Sequence, residues 1–289
     1  MKTLYLDCFS GISGDMMIGA LIDAGGDYHY LTKELKKLKI EDEYELKIEK
    51  VVKNGISATK FDVILTHTLS KPKGDDHSHA HHHEQSHSEE NEQEHTHHYH
   101  VAQEHHSNHG HSHHHAHHHA HRTFTSIVHL IEESTLSAFV KETAIKVFRL
   151  IGEAEAKIHG VSIENVHFHE VGAVDSIIDI VGTAILLEYL QIEKVVSSPV
   201  PVGTGHIHID HGVYPVPAPA TLEILKGIPL QKSSLKGELT TPTGAAFLKA
   251  LVDCFSVLPS MVIEKVGYGA GSKNYSDHPN VLRVMIGSQ

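Results

Sequence analysis

The sequence predicts an α/β or α+β fold in which mixed sheets are flanked by helices and interrupted by a disordered, histidine-rich insert. Three observations support this prediction. Short apolar runs that suit strands alternate with longer segments whose apolar residues recur at helical spacing. The chain begins with a strand that passes through a glycine loop into a helix. A segment with hardly any apolar residue then separates an N-terminal part, residues 1–74, from the rest of the core, residues 122–289.

The N-terminal part contains a strand–glycine loop–helix unit followed by a helix and a hairpin. The apolar run at residues 3–9 breaks at a loop rich in serine and glycine, after which helical periodicity begins. Asn54-Gly55 has the composition of a hairpin turn between two alternating runs. The predicted elements are strand 3–9, helix 16–23, helix 30–38, strand 45–52 and strand 58–66.

The segment of residues 75–121, here called the His-rich insert, is predicted to bind metal ions. Between His77 and His121 lie 21 of the 31 histidines, and the insert has eight acidic side chains but no Lys or Arg. Imidazole suits nickel, zinc and copper, and so few apolar residues cannot offset the entropy of ordering the chain. We therefore expect disorder without metal, and a functionless solvated linker is the alternative. Weak metal sites are predicted at the histidine triplets His81, His82, His83, His113, His114, His115, His117, His118 and His119.

The second half of the core continues the alternation of helices and strands. Good helix formers follow the insert, and Ser137 suits the N-cap of a long helix. A Pro/Gly-rich stretch interrupts the pattern between residues 199 and 219. The predicted elements are helices 126–133 and 137–159, an extended segment 166–172, helix 174–190, strand 194–198, helices 220–226 and 243–253, and strands 261–266 and 281–286.

Composition argues against several classes of protein. The formal net charge is −12 and mostly resides in the insert, so the core is only mildly acidic and has no basic stripe for nucleic acid. Cys8 and Cys254 are too few for a disulfide framework or a cysteine-based zinc site. The N-terminus lacks the apolar core of a signal peptide, and no apolar stretch approaches about 18 residues. The sequence thus predicts a soluble cytoplasmic protein that binds neither nucleic acid nor membrane.

The first candidate site combines two histidines with carboxylates. His167 and His169 would share one face of an extended segment, and Asp175 and Asp179 would share one face of the following helix. With Glu170, these side chains form a nitrogen and oxygen ligand set that fits nickel, zinc, manganese or iron. The same carboxylates could instead complement the helix dipole or lie on a solvated face.

Three further motifs could contact a ligand. The glycine loop offers backbone N–H groups for a phosphate and two aspartates for a cation, although a tight turn with a capped helix would look the same. His206 and His208 share a strand face, which also fits a simple half-buried strand. A threonine-rich approach to a helix could hold phosphate or form only an N-cap with proline in the first turn. The candidate residues of the first and third motifs are Asp7, Ser10, Gly11, Ser13, Gly14, Asp15, Thr240, Thr241 and Thr243.

Together these motifs resemble the LarC-type nickel-pincer cofactor biosynthesis proteins, a family of nickel insertion proteins. The resemblance covers nearly all of the chain outside the insert, and a His-rich interruption at this place is typical of the family. The segments that carry the resemblance are LYLDCFSGISGDMMIGALIDAG at 4–25, HFHEVGAVDSIIDIVG at 167–182, SSPVPVGTGHIHIDHGVYPVPAPATLEIL at 197–225, ELTTPTGAA at 238–246, GYGAGSKN at 267–274 and PNVLRV at 279–284.

The resemblance implies an enzyme of the lyase class that inserts Ni²⁺ into pyridinium-3,5-bisthiocarboxylic acid mononucleotide. The product would be the nickel-pincer nucleotide of lactate racemase-type enzymes, and CTP with Mn²⁺ or Mg²⁺ would drive the step. We expect His167, His169 and Glu170 to hold nickel and, together with Asp175, to act as the catalytic residues. Asp179, His206 and His208 would add metal ligands. The glycine-loop and threonine residues would hold the phosphate and its metal.

Family members generally continue past the segment at 279–284 into a C-terminal domain linked with CTP binding, whereas this chain stops at Gln289. We therefore expect the N-terminal part of the family's full length, with a separate C-terminal polypeptide as partner and a lactate racemase-type apoenzyme downstream. A homo-oligomer is expected. The alternative functions are nickel storage or metallochaperone activity through the insert, and metal-dependent hydrolysis of a phosphorylated small molecule.

Overall fold

A computed structural model describes residues 1–66, 122–166, 168, 174–209 and 212–288. The His-rich insert and its predicted metal sites therefore lie outside the described residues. The helices are α1 Gly14–Asp23, α2 Tyr28–Leu35, α3 Phe124–Glu133, α4 Ala138–His159, α5 Val174–Tyr189, α6 Pro219–Ile224 and α7 Pro242–Leu251. The strands are β1 Lys2–Asp7, β2 Tyr44–Lys53, β3 Ile56–Leu65, β4 Lys194–Ser197, β5 Val200–Pro201, β6 Gly203–Thr204, β7 His206–Ile209, β8 Gly212–Pro215, β9 Leu230–Gln231, β10 Gly237–Glu238, β11 Cys254–Phe255, β12 Val262–Ala270 and β13 Val281–Ser288.

A seven-stranded mixed sheet forms the centre of the fold, in the order β11-β4-β1-β13-β12-β3-β2. Strand β1 is parallel to β4 and antiparallel to β13, so the N-terminal strand lies between two strands from the far end of the chain. Three two-stranded pairs, β5 with β9, β6 with β10 and β7 with β8, lie outside this sheet. The predicted mixed α/β fold with flanking helices is confirmed.

The main core lies between one face of this sheet and the helices. Leu4 and Leu6 of β1 are fully buried there, because alternate residues of a strand point to the same face. Helix α1 lies directly on β12, where a Cβ at Gly269 would overlap the Met16 carbonyl oxygen. Only glycine allows this approach, and the approach fixes where the N-terminus of α1 lies relative to the sheet.

Local sequence signals explain most element boundaries. Asn54 and Gly55 have φ angles of 46° and 83°, the left-handed values that a two-residue hairpin turn requires. Ser137 accepts a hydrogen bond from the Val140 N–H at 3.2 Å and caps α4 as predicted. The predicted helix over residues 30–38 begins earlier, at Tyr28, because Asp27 caps it, and its last turn is a 3-10 turn.

Two parts of the chain differ from the sequence prediction. Strand β12 continues to Ala270, beyond the predicted 261–266, because its glycines allow close packing of α1 and do not end the strand. The Pro/Gly-rich stretch contains short strands that lack enough residues to show a periodicity. The extended segment at 166–172 lies largely outside the described residues. No helix among the residues described is both long and apolar enough to cross a membrane.

Candidate functional site

A cleft of about 370 Å³ opens where the N-termini of α1, α5 and α7 meet β3. Its volume is within the range of small-molecule sites. Three motifs that are far apart in sequence contribute to it: the glycine loop, the helix after the His-Phe-His-Glu segment, and the threonine-rich approach to α7. The described lining residues are Ser13, Gly14, Asp15, Phe61, Asp62, Val63, Asp175, Ser176, Asp179, Glu238, Thr241, Pro242, Thr243 and Ser272.

Asp179 is the most constrained carboxylate of the cleft. Its Oδ1 is buried and has no hydrogen-bond partner among the described residues. Its Oδ2 lies against Gly14, where a Cβ would overlap the carboxylate. Leaving a buried polar atom unpaired costs free energy, so an oxygen next to a cleft with no partner among the described residues suggests a ligand or a residue outside the described part of the chain.

The surroundings of Asp179 disfavour its charged form. Burial raises the pKa of Asp179 well above its ordinary value, and the nearby carboxylates of Asp15 and Asp175 raise it further. Loss of solvent also raises the pKa of Asp175, one helical turn away. A cation in the cleft would favour ionisation of both groups and would reduce their mutual repulsion.

Lys60 provides the positive charge nearest to these carboxylates, and the sequence analysis missed it. Its Nζ donates to Asp15 Oδ2 at 3.0 Å, to Asp62 and to the Phe61 carbonyl oxygen. Burial lowers the pKa of Lys60, but the two carboxylates outweigh this effect and raise it. Lys60 and Asp62 are two residues apart on β3, so their shared face was a signal that the sequence contained.

The wall opposite α5 is formed by the start of α7. Thr241 accepts a hydrogen bond from the Gly244 N–H at 3.2 Å, as an N-cap does, and Pro242 occupies the first turn. Thr243 lines the cleft as well. Thr240 does not line it, because its buried hydroxyl donates to the Pro201 carbonyl oxygen at 2.7 Å. Ser272 and Glu238 complete this wall.

Three predicted residues of the glycine loop do not line the cleft. Asp7 forms an ion pair with Arg283, whose Nε donates to Asp7 Oδ2 at 2.8 Å. Ser10 is buried and donates to the Pro279 carbonyl oxygen at 2.6 Å. Gly11 lies against the backbone of Leu239. These residues hold the loop in position, whereas Ser13, Gly14 and Asp15 reach the cleft.

The predicted histidine ligands are only partly described. His206 and His208 lie on β7 and are both exposed, with Val213 opposite His208 on β8. Outside the described residues lie His167, His169 and Glu170. Phe168, between the two histidines, is buried, and its ring centroid lies 6.3 Å from that of Phe148. Within the described ranges, no three His, Cys, Asp or Glu side chains form a ready metal site.

The charges of the cleft favour cations. Its described lining contains Asp15, Asp62, Asp175, Asp179 and Glu238 but no Lys or Arg, and Lys60 beside it pairs with two of them. Carboxylate oxygens suit hard cations such as Mg²⁺ and Mn²⁺, and borderline nickel accepts them together with imidazole. The cleft can therefore hold a divalent cation next to a polar organic ligand.

Comparisons with known proteins agree with this chemistry. The sequence profile of a family described as nickel insertion protein matches residues 4–289. The chain is 50% identical over 289 residues to the pyridinium-3,5-bisthiocarboxylic acid mononucleotide nickel insertion protein of Geobacillus kaustophilus, covering 100% of this chain and 60% of that protein. It is 45% identical over 289 residues to the protein of that name from Clostridium kluyveri, covering 100% of this chain and 63% of the relative.

A putative nickel insertion protein of Dictyoglomus thermophilum is 42% identical over 287 residues, covering 99% of this chain and 61% of the relative. The chain thus spans about 60% of the length of these curated relatives. No solved structure matches the chain. The profile match over almost the whole sequence and the identities of 42% to 50% show that the chain belongs to the nickel insertion protein family.

Proposed function

We propose that this chain takes part in inserting nickel into pyridinium-3,5-bisthiocarboxylic acid mononucleotide, the compound named in its relatives. The main support for the proposal is the acidic cleft, in which Asp179 Oδ1, unpartnered among the described residues, lies beside Asp15 and Asp175. A cleft of this charge suits a divalent cation brought next to an organic ligand. The motifs of the family resemblance supply most of its wall.

Forming a carbon–nickel bond in place of a ring carbon–hydrogen bond requires bound nickel and a base for the displaced proton. Asp179 is proposed to take the nickel ion, with His167, His169 and Glu170 as further ligands. Asp175 lies at the open side of the cleft, one helical turn from Asp179, and its raised pKa suits proton acceptance. The proton would pass from the ring carbon to the Asp175 carboxylate as nickel takes its place.

CTP with Mn²⁺ or Mg²⁺ is the expected source of driving force. The described cleft fits the metal better than the bare nucleotide, because its carboxylates would repel a triphosphate. Asp15 and Asp62 are the residues that would hold Mg²⁺, which neutralises phosphate charge when bound. We propose that the nucleotide itself needs the portion found in the longer relatives, either as a separate C-terminal polypeptide or in a longer chain.

The remaining expectations are part of the same proposal. The His-rich insert would raise the local nickel concentration by tethering many weak sites near the core. The product would pass to a lactate racemase-type apoenzyme. We propose a lyase-class enzyme of the cytoplasm that works as a homo-oligomer.

The proposal is tested by incubating the chain with the mononucleotide, NiCl₂, CTP and MgCl₂, and measuring the nickel-containing product by mass spectrometry. Parallel reactions receive the portion of the Geobacillus kaustophilus relative that this chain does not match. Asp175→Asn should reduce the rate at least about 100-fold, the scale expected for loss of a general base. Glu264→Gln removes one exposed carboxylate on β12 and should leave the rate unchanged.

Product in the supplemented reaction would support nickel insertion. No product in either reaction would overturn the proposal. Tight nickel binding without any product would favour storage through the insert, and release of phosphate from the mononucleotide without nickel would favour a hydrolase. If Asp175→Asn leaves the rate unchanged, Asp175 is not the base, but nickel insertion as the proposed reaction still stands.

A further inference from the structure

Two lysines lie beside the acidic cleft, at the edge formed by the loop of residues 271–274. Lys53, the last residue of β2, donates to Asn274 Oδ1 at 2.6 Å and to the carbonyl oxygens of Lys273 at 3.2 Å and Ser272 at 3.5 Å. Lys273 donates to the Glu238 carbonyl oxygen at 2.5 Å. Because Ser272 and Glu238 line the cleft, both ammonium groups are held at its wall.

The two lysines differ from Lys60 in how their charge is balanced. Lys60 forms ion pairs with Asp15 and Asp62. In the part of the chain that the structure describes, Lys53 and Lys273 form no salt bridge and bind only uncharged oxygen atoms. Fixing long side chains costs conformational entropy, so two ordered ammonium groups without an ion-pair partner among the described residues suggest a site for an anion.

The environment of Lys53 supports this inference. Burial lowers the pKa of Lys53, and the nearby Lys60 ammonium lowers it further, whereas Asp15 acts in the opposite direction. An anion next to Lys53 would offset the repulsion from Lys60 and favour the charged form of Lys53. Lys53 uses its three donors in the described contacts, and the one to Ser272 at 3.5 Å is the longest, so a ligand oxygen would replace that contact. Lys273 uses one of its three donors in the described contacts.

We infer that Lys53 and Lys273 bind the phosphate of the mononucleotide substrate, an inference that rests on the proposed function. The acidic side of the cleft repels a phosphate, so the phosphate binds at the lysine edge. The ring then extends towards Asp175 and Asp179, where the cation and the base are proposed to act. The lysines thus set the direction in which the substrate enters the cleft, and they select for a phosphorylated pyridinium compound over its nucleoside.

The test compares two probes by isothermal titration calorimetry, nicotinate mononucleotide and nicotinate riboside, which differ only in the phosphate. The wild-type chain should bind the mononucleotide at least about tenfold more tightly, the effect of one or two charge-assisted hydrogen bonds. Lys53→Gln with Lys273→Gln keeps amide donors for the loop contacts and should abolish the preference. Lys53→Arg keeps the charge and should retain it. Lys232→Gln, at an exposed lysine on a neighbouring loop, controls for net charge and should bind like the wild type.

Equal affinity for the two probes in the wild type, or no binding of either, would overturn the inference, as would an unchanged preference in the double variant with native circular dichroism. The nickel insertion assay separates this inference from the proposed function. If the wild type makes product and the double variant keeps its KM for the mononucleotide, only the phosphate assignment is wrong. If the wild type makes no product, the proposed function is wrong, whatever the calorimetry shows.

Discussion

The two ends of the glycine loop carry the same functional group in opposite charge environments. Asp7, at the end of β1, is matched by the Arg283 guanidinium on the neighbouring strand. Asp15, eight residues later, faces a cleft in which Asp175 and Asp179 have no basic partner of their own among the described contacts. One end of the loop is electrically balanced, and the other end carries excess negative charge.

The difference suggests that Asp7 stabilises the fold, whereas the carboxylates of the cleft are positioned to bind a ligand. An ion pair between adjacent strands lowers the free energy of the folded state by a modest amount. Carboxylates that outnumber their basic partners, as those of the cleft outnumber Lys60 among the described residues, raise it. A protein tolerates this cost where ligand binding offsets it. Removing the charge of Asp7 and removing that of Asp179 should therefore change stability in opposite directions, and only the change in the cleft should change activity.

The largest effect is expected for Asp179→Asn. Nickel insertion should fall at least about 100-fold, because the amide is a poor cation ligand in place of the carboxylate. The free energy of unfolding should rise by about 1 kcal/mol, because the buried and repelled charge is removed. Product formation and urea denaturation measure the two changes. Unchanged activity, or a loss of stability, would show that Asp179 belongs with the residues that stabilise the fold.

Gly14→Ala should displace the Asp179 carboxylate, because Gly14 packs directly against it. The new Cβ would overlap Asp179, so the side chain must move, at a cost of about 1–3 kcal/mol in the free energy of unfolding and with a large loss of activity. A double-mutant cycle with Asp179→Gly provides the control, since only glycine also removes the Asp179 Cβ, which would lie 2.6 Å from the new Cβ. If Gly14→Ala costs as much in that background as in the wild type, the contact with Asp179 is not the reason for glycine.

Asp7→Asn should have the opposite pattern to Asp179→Asn. The free energy of unfolding should fall by about 1 kcal/mol, a reduced value because Arg283 is 42% exposed and solvent screens the pair. Activity per folded molecule should change little. Thermal denaturation measures the change in stability, and the insertion assay measures the activity. A strong loss of activity at native stability would support the prediction from the sequence that Asp7 binds a cation.

A pH series tests the charge of Asp179, because the folded-state pKa of Asp179 lies above the value of about 3.9 for an unfolded aspartate. Between these two values the folded state binds more protons than the unfolded state, so this group lowers the free energy of unfolding as pH rises. Asp179→Asn lacks this contribution. The stability advantage of the variant should therefore vanish near pH 4 and reach about 1 kcal/mol at higher pH, as measured by urea denaturation across the range. A pH-independent difference would contradict the raised pKa.

Local signals in the sequence predicted the helices and the hairpin, because capping and periodicity act within a few residues. Ser137 and Asn54-Gly55 are examples in which a short motif suffices. The extension of β12 could not be predicted, because its glycines resemble a loop until α1 is known to pack on them. That contact joins segments more than 200 residues apart.

The cleft also combines local and long-range features. Composition alone identified three of its motifs as candidate ligand sites, and the structure brings parts of all three together. The neutralisation of Asp7 by Arg283 and the contacts of Lys53 with residues 272–274 depend on strand order, which no local pattern contained. The sequence thus shows which residues carry a charge, whereas the fold decides which of those charges are neutralised by a partner.

The smallest effect is expected for His206→Ala with His208→Ala. Both histidines are exposed on β7, so the free energy of unfolding should change by less than about 0.5 kcal/mol. As two solvent-exposed imidazoles they can form only a weak nickel site, so the KM for nickel should rise about threefold while kcat stays constant. His129→Ala, at an exposed histidine of α3, is the matched control. A lower kcat at saturating nickel would make the hairpin part of the reacting centre. An unchanged KM would remove both histidines from the set of proposed metal ligands.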